Sequence, residues 1–503
     1  MTTNFILAPI IIHLFTAILL LFFWQKVLAQ KIISIIGNSF AFIACIRLFN
    51  LTLNNQHVVL QLGNWKAPFG ITFIADTFSM IMVMLTACVS LAVGLYSTSS
   101  LNRSRIKYGY FFTFHLLIMG LIGSFLTGDI FNLYVWFEVV IISSFILLTV
   151  GGKKRQMEGA IKYVTMNILA STIFLTAIGI LYGITGSLNI ADISLKIQAI
   201  ENKGLVTVTS LLFFIGFGIK SAIFPLYFWL PSSYHTPPSA IAAIFGGLLT
   251  KMGVYALFRV FTIIFEPDNF TLILFVAISL LTMITGALGT INKRNIRRVL
   301  SYLIVCHIGY LVAGLSLYTE IAFTAVVFYL IHDVIVKSNL FMISGVIVKI
   351  RETLDMTRLG GLLKDYPKFS FLVALVFFSV VGIPPFSGFW PKILLFKEAF
   401  SQQQIGLLIG LIIASFVTLF VVMRMWSEIF WKESPKPLTE EIDHFTPFSK
   451  SGKFALIAPI VFLAGISLYI GFFANDVMKI SEKAAHEMKN KEIYIEAVLG
   501  KKV

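Results

Sequence analysis

The stretch Ala240-Ile-Ala-Ala-Ile-Phe-Gly-Gly-Leu-Leu-Thr-Lys-Met-Gly-Val-Tyr-Ala-Leu-Phe258 decides how this chain is read. It is long and apolar enough to cross a bilayer, yet it holds Lys251 near its centre. An ionised side chain at that depth costs roughly 2.5–3.5 kcal/mol on insertion scales, so such residues face a bundle interior or a water-filled path. Glu138, Lys220, His332, Lys337 and Lys392 stand in or beside similar apolar stretches. A single buried charge is compatible with an accident of packing. Six along one chain point to a route for ions or protons.

Composition agrees. Of 503 residues, 58% are hydrophobic and only 13% charged, whereas a soluble domain is about half apolar and a quarter charged. The chain is therefore expected to be an all-α polytopic membrane protein. The apolar N-terminus has no basic leader region and no small-residue cleavage site, so it is read as a retained first span. The net charge of +15 belongs to short loops between apolar segments, as beside anionic lipid. No aromatic-interleaved basic patch accompanies it, which argues against nucleic acid. Cys45, Cys88 and Cys306 are isolated in apolar runs and read as small core residues.

A span needs about 20 predominantly apolar residues, and about fourteen segments qualify. They lie near 5–24, 31–50, 73–96, 108–127, 129–149, 158–183, 205–230, 238–263, 270–291, 296–317, 321–348, 369–399, 404–431 and 453–474. The loops after spans 1, 3, 5, 9, 11 and 13 carry about 21 basic residues, Lys436 among them, and the opposite loops about four. Positive-inside orientation then puts both termini outside. The loop Ser232 to Pro238 breaks the pattern, because it should be cytoplasmic and holds no Lys or Arg. Residues 475–503 read as a short tail forming a surface helix, and the whole of 1–503 as one membrane domain.

Two spans are interrupted. Span 7 contains Ile215-Gly-Phe-Gly-Ile-Lys220-Ser-Ala-Ile-Phe-Pro225, and span 12 contains Val381-Gly-Ile-Pro-Pro385-Phe-Ser-Gly-Phe-Trp-Pro-Lys392. Proline removes a backbone donor and glycine adds freedom, so both helices should break in mid-membrane. Broken backbone is tolerated there only inside protein or along a cavity. Paired interruptions point to a transporter built from inverted repeats. Spans 4–8 (108–263) and 9–13 (270–431) are the expected repeats. The plainer account is that Pro and Gly are common in membrane helices; a lysine beside each break tips the balance.

The charged residues admit sharp and bland readings. Burial disfavours the charged form of a carboxylate or a lysine, and an opposite charge restores it. Glu138 and Lys220 are thus candidates to trade a proton, or else a static pair pinning two helices. Asp333 and Lys337, four residues apart on one helix face, read first as a local salt bridge. His332 titrates near neutrality and would link the central lysine to the terminal one. Lys392 is either the last protonatable group before the opposite surface or an interfacial anchor beside Trp390. His307 and His235 are secondary candidates, and His115 reads as a satisfied helix histidine. No nucleotide, dinucleotide, metal-ligand or nucleophile motif is present. Cofactor-borne or metal-borne catalysis by this chain is not expected.

The run Ile219-Lys-Ser-Ala-Ile-Phe-Pro-Leu-Tyr-Phe-Trp-Leu-Pro, with Leu248-Leu-Thr-Lys-Met-Gly, resembles the antiporter-like subunits of respiratory complex I. So do Trp136-Phe-Glu138, Arg297-Arg-Val-Leu-Ser-Tyr302, His332 to Lys337, and Gly382-Ile-Pro-Pro-Phe-Ser-Gly-Phe389. Within that superfamily the chain most resembles the D-type subunits of Mrp multisubunit Na⁺/H⁺ antiporters. The resemblance implies fourteen helices, two inverted five-helix repeats and a hydrophilic midplane axis. It implies a Glu138–Lys220 pair, a central Lys251, and a path continuing through His332, Lys337 and Lys392. It further implies a bacterial inner-membrane complex, with a large A-type homologue and several small membrane subunits as partners. Pro231-Ser-Ser-Tyr-His-Thr-Pro-Pro departs from the Asp-Ala-His pattern of complex I relatives, which weakens a role for His235. Two other readings compete: a proton-pumping subunit of a redox complex or membrane-bound hydrogenase, and a non-conducting scaffold.

Overall fold

In the computed structural model, the described residues are 3–55, 57–435, 439 and 442–500. Lys436 and the last three residues of the tail lie outside them. Among the described residues, twelve helices are long and apolar enough to cross a membrane. Two shorter apolar helices, Tyr110–Leu126 and Pro367–Val381, stand where the fourth and twelfth spans were expected. The chain is a polytopic membrane fold with almost no sheet. Its one hairpin among the described residues pairs Val58–Gln61 with Thr72–Ala75, an element the apolar periodicity did not disclose.

Four helices form the interior. Buried residues make up 83% of the apolar window in Thr77–Ser100, 100% in Ser239–Ile264, 94% in Ile296–Leu317 and 89% in Glu320–Arg351. Those of Ile130–Thr149 and Lys203–Ser221 are only 44% and 56% buried. They turn one face outward, where Phe131, Val135 and Ile142 are exposed, as lipid or a neighbouring subunit requires.

Both interrupted spans break as expected. The first helix ends at Ser221, passes through Ala222 in left-handed geometry (φ 59°), and resumes at Trp229. The second ends at Val381, passes through Gly382 (φ 81°), and resumes at Phe389. The lysines are not placed alike. Lys220 closes the first half-helix of its span, whereas Lys392 opens the second half-helix of its own.

A small backbone lock recurs in the two halves. Ile130 N–H donates to Leu188 and Ile190 N–H to Gly128; likewise Ile296 N–H donates to Leu354 and Met356 N–H to Arg294. Asp129 and Asn295, at matching positions, cap the helices that follow. Asp129 is thereby engaged by the Asn132 N–H at 2.7 Å.

The cysteines are buried and free, as expected. The loop Ser232 to Pro238 takes its positive charge from elsewhere: Arg297 donates to the Pro237 carbonyl and Arg298 to His235. Arg297 is itself buried. The tail folds into two helices, Ala474–Lys489 and Lys491–Leu499.

Candidate functional site

Asp333 is the hub of a buried charge cluster. Its carboxylate lies 2.7 Å from Lys251 Nζ, 3.0 Å from His307 Nδ1 and 4.0 Å from Lys337 Nζ. All four side chains are at most 1% exposed. Isolated charges at such depth would be prohibitively costly, so they persist because they compensate one another. The expected Asp333–Lys337 contact is present at 4.0 Å, but Asp333 has a closer partner in Lys251, brought by another helix. Lys337 Nζ makes no hydrogen bond among the described residues.

Two glycines make this meeting feasible. A Cβ on Gly247 would stand 1.9 Å from Ser338 Oγ, and one on Gly246 would stand 2.4 Å from the Phe341 ring. Only glycine lets the helix bearing Lys251 approach the helix bearing Asp333 so closely. The same stretch, Phe245–Leu249, is wound as a π-turn, a feature that concentrates at functional sites. The Gly246 carbonyl accepts a hydrogen bond from Lys251 Nζ at 3.0 Å. Lys251 therefore has one fixed ligand in its own helix and one across the interface.

Beyond Asp333 the polar groups continue toward the second break. The Tyr329 ring stands between His307 and His332, at 5.8 and 5.7 Å between centroids, and stacks on Tyr310 at 5.5 Å. His332 Nδ1 is hydrogen-bonded to Ser387 Oγ at 2.8 Å, Ser387 to Ser467 at 2.9 Å, and Ser467 to Ser379 at 3.1 Å. Lys392 Nζ lies over the Tyr310 ring at 5.7 Å and donates to the Val381 carbonyl at 2.8 Å. That carbonyl ends a half-helix, where the partial negative charge of the helix dipole favours an ammonium. Lys392 is accordingly buried within the break.

The first half is sparser. Lys220 Nζ reaches Ser171 Oγ at 3.4 Å and lies 5.5 Å from the Phe137 ring centroid. Glu138 Oε1 is buried without a hydrogen bond. No ion pair within 4.0 Å joins Glu138 to Lys220 or to any other described residue, so the pairing implied by resemblance is open in this conformation. A small cavity lined by Asn167, Tyr163, Lys220, Leu249 and Met252 adjoins the helix that carries Lys251. Gly253 keeps the two helices close, since a Cβ there would meet Ser221 Oγ at 2.5 Å and Lys220 Cβ at 3.0 Å.

His235 lies apart from this line, at a basic cavity of about 590 Å³ with Lys153, Arg155, Arg297 and Arg298. Its Nδ1 faces the Pro231 carbonyl at 2.9 Å and its Nε2 accepts from Arg298 Nε at 3.3 Å. Burial, aided by the Arg298 charge, pulls this imidazole down to about 4. His115 is satisfied by His13 at 2.8 Å and Ser34 at 3.0 Å.

Sequence reasoning did not find Ser379, Ser387, Ser467, Tyr310 or Tyr329, since hydroxyl residues in apolar helices usually bond their own turn. The only signal for Ser387 was its place inside the Pro-Pro-Phe-Ser-Gly break.

Comparison with known proteins adds three findings. Residues 127–418 match the family model for the membrane region of NADH:quinone oxidoreductases and Mrp antiporters. Two curated relatives, the D-type subunits of the Na⁺/H⁺ antiporters of Alkalihalophilus pseudofirmus and Bacillus subtilis, are 39% and 38% identical; each alignment covers 99% of both chains. A chain in the solved Mrp complex of Dietzia sp. superimposes with a TM-score of 0.89 at 27% identity, over 99% of both chains.

Proposed function

From the premise that this chain belongs to the NADH:quinone oxidoreductase/Mrp antiporter membrane family, we propose that it is the proton-conducting member of a hetero-oligomeric Na⁺/H⁺ antiporter in a bacterial membrane. Its partners are a large A-type homologue and several small membrane subunits. Protons move along Glu138, Lys220, Lys251, Asp333 with His332 and Lys337, and Lys392. Sodium is exchanged at the level of the complex. Both termini face outside, and spans 4–8 and 9–13 are inverted repeats. The backbone lock repeated at Ile130 and Ile296 supports that symmetry.

One observation carries the relay: a single carboxylate, Asp333, stands between two lysines at unequal distances, 2.7 and 4.0 Å. At an effective dielectric of 20, moving a pair from the longer to the shorter distance is worth about 2 kcal/mol. That is small enough for the carboxylate to change partners. When Lys251 gives up its proton, Asp333 loses its close cation and is drawn to Lys337. Lys337 then holds its proton until His332, Ser387 and Lys392 can take over the charge. Each step changes the stability of the next charged state, so a proton at one end biases the other.

The test uses the complete complex in everted membrane vesicles, with Na⁺-driven dissipation of a pH gradient as readout and complex assembly checked by native gel. Lys392→Ala and Glu138→Ala should abolish antiport while leaving assembled complex. Antiport intact in either variant would sink the relay. Copurification of iron–sulfur or flavin subunits with the tagged chain would instead make it part of a redox-driven pump.

A further inference from the structure

Far from the relay in sequence, three segments converge on one spot: the hairpin leader (His57), the start of the helix Thr77–Ser100 (Asp76), and the tail helix Ala474–Lys489 (Glu487). One ligating atom from each of these residues lies within 4.8 Å of the other two. We propose that His57, Asp76 and Glu487 form a binding site for a first-row divalent cation of the Zn²⁺ class.

The cluster is built and oriented before any ligand arrives. Both Glu487 oxygens are fixed by Thr77, through its N–H at 3.0 Å and its hydroxyl at 2.7 Å. Asp76 Oδ1 is fixed by the Ser79 N–H at 2.8 Å and by an ion pair with Arg259. Its Oδ2 has no hydrogen bond among the described residues and remains free to coordinate. The His57 side chain is 5% exposed, and its Nε2 is buried with no hydrogen bond. That nitrogen looks toward Glu487 Oε2 from 3.7 Å, beyond hydrogen-bonding range. An unsatisfied buried ring nitrogen facing two carboxylates is what a metal would satisfy.

Charge and donor type narrow the ligand. Two carboxylates meet one guanidinium, that of Arg259, and the nearby Lys483 turns its ammonium away, to the Leu53 carbonyl at 3.1 Å. Hard cations such as Ca²⁺ and Mg²⁺ take oxygen ligands, whereas one imidazole and two carboxylates suit zinc and its neighbours. Bonds of about 2.0–2.2 Å put tetrahedral ligand atoms about 3.3–3.6 Å apart, and His57 Nε2 and Glu487 Oε2 are already 3.7 Å apart. Arg259 serves here as an outer partner that orients the Asp76 carboxylate. The site is independent of the relay. It ties the tail helix to the hairpin, and Arg259 lies on the helix that carries Lys251.

The complete complex, stripped with chelator and titrated with Zn²⁺ in detergent, tests this. Calorimetry and metal analysis should find one equivalent whose affinity drops about tenfold or more in His57→Ala and in Glu487→Gln. X-ray absorption of the wild type should show one imidazole nitrogen among oxygens, and Zn²⁺ should raise the melting temperature of the wild type but of neither variant. Equal zinc content in wild type and variants would overturn the proposal, because the metal would then sit elsewhere in the complex. So would a wild type that takes up no zinc at micromolar free metal. Should the variants not assemble, a zinc shell without imidazole in the wild type decides against it alone.

Discussion

The two halves of the charged line are held in different ways. Around Asp333 the charges are packed between helices that are about nine-tenths buried or more, and Asp333 binds partners on two other helices. Around Glu138 and Lys220 the helices are about half buried, the carboxylate has an orphan oxygen, and the lysine finds one hydroxyl. The first arrangement is a closed network in which removing one member strands the rest. The second is loose and has its unsatisfied group near a face that a neighbouring protein can cover.

Stability separates the halves most sharply. Asp333→Ala strands Lys251, Lys337 and His307, and should cost about 3–5 kcal/mol, read as a large fall in the melting temperature of the complex. Glu138→Ala should cost about 1 kcal/mol or less, since no ion pair is lost. Equal losses would erase the distinction.

Coupling comes next. A double-mutant cycle on Lys251→Met and Asp333→Leu should return a coupling of about 2–3 kcal/mol, and one on Lys220→Met and Glu138→Gln about 0.5 kcal/mol or less. A large value for the second pair would mean that Glu138 and Lys220 close on each other in the working complex.

A smaller effect is expected at the link to the second break. Ser387→Ala removes the hydroxyl between His332 and Ser467, a loss of about 1 kcal/mol and hence about fivefold in proton flux. Assembly should not change. Flux equal to wild type would take Ser387 out of the path.

The smallest effect is at His235. Its folded-state affinity for protons is depressed to about 4, below the unfolded value of about 6.5. Between those values the unfolded chain binds the extra proton, so stability is present above about pH 6.5 and is lost on acidification toward pH 4. His235→Gln should therefore flatten the fall in melting temperature between pH 7 and 5 by a small margin. An unchanged slope would place the acid sensitivity elsewhere.

Much of the fold was legible. Apolar run length marked every interior helix, and Gly-Phe-Gly and Pro-Pro marked both breaks, because cost per residue in lipid is a local property. The hairpin at Val58 to Ala75 was not, since its strands are only four residues each and lie between two long spans. All six primary candidates stand at interior or partly buried positions. Their partnering was less legible: the i,i+4 rule favoured Lys337 for Asp333, and resemblance favoured Lys220 for Glu138.

The sequence by itself determined that charges are buried in this membrane protein, because a lysine between Leu249 and Val254 has no nearby solvent. It also determined where two helices must stop, because proline lacks a donor whatever surrounds it. Only the tertiary structure decided which charge meets which. That depends on interhelical distances of a few ångströms, set by Gly246, Gly247 and Gly253, and Coulomb energy in a poorly screened interior changes steeply over such distances. It likewise decided that His57, Asp76 and Glu487, which stand at opposite ends of the chain, share one spot, since no spacing rule extends across a whole fold.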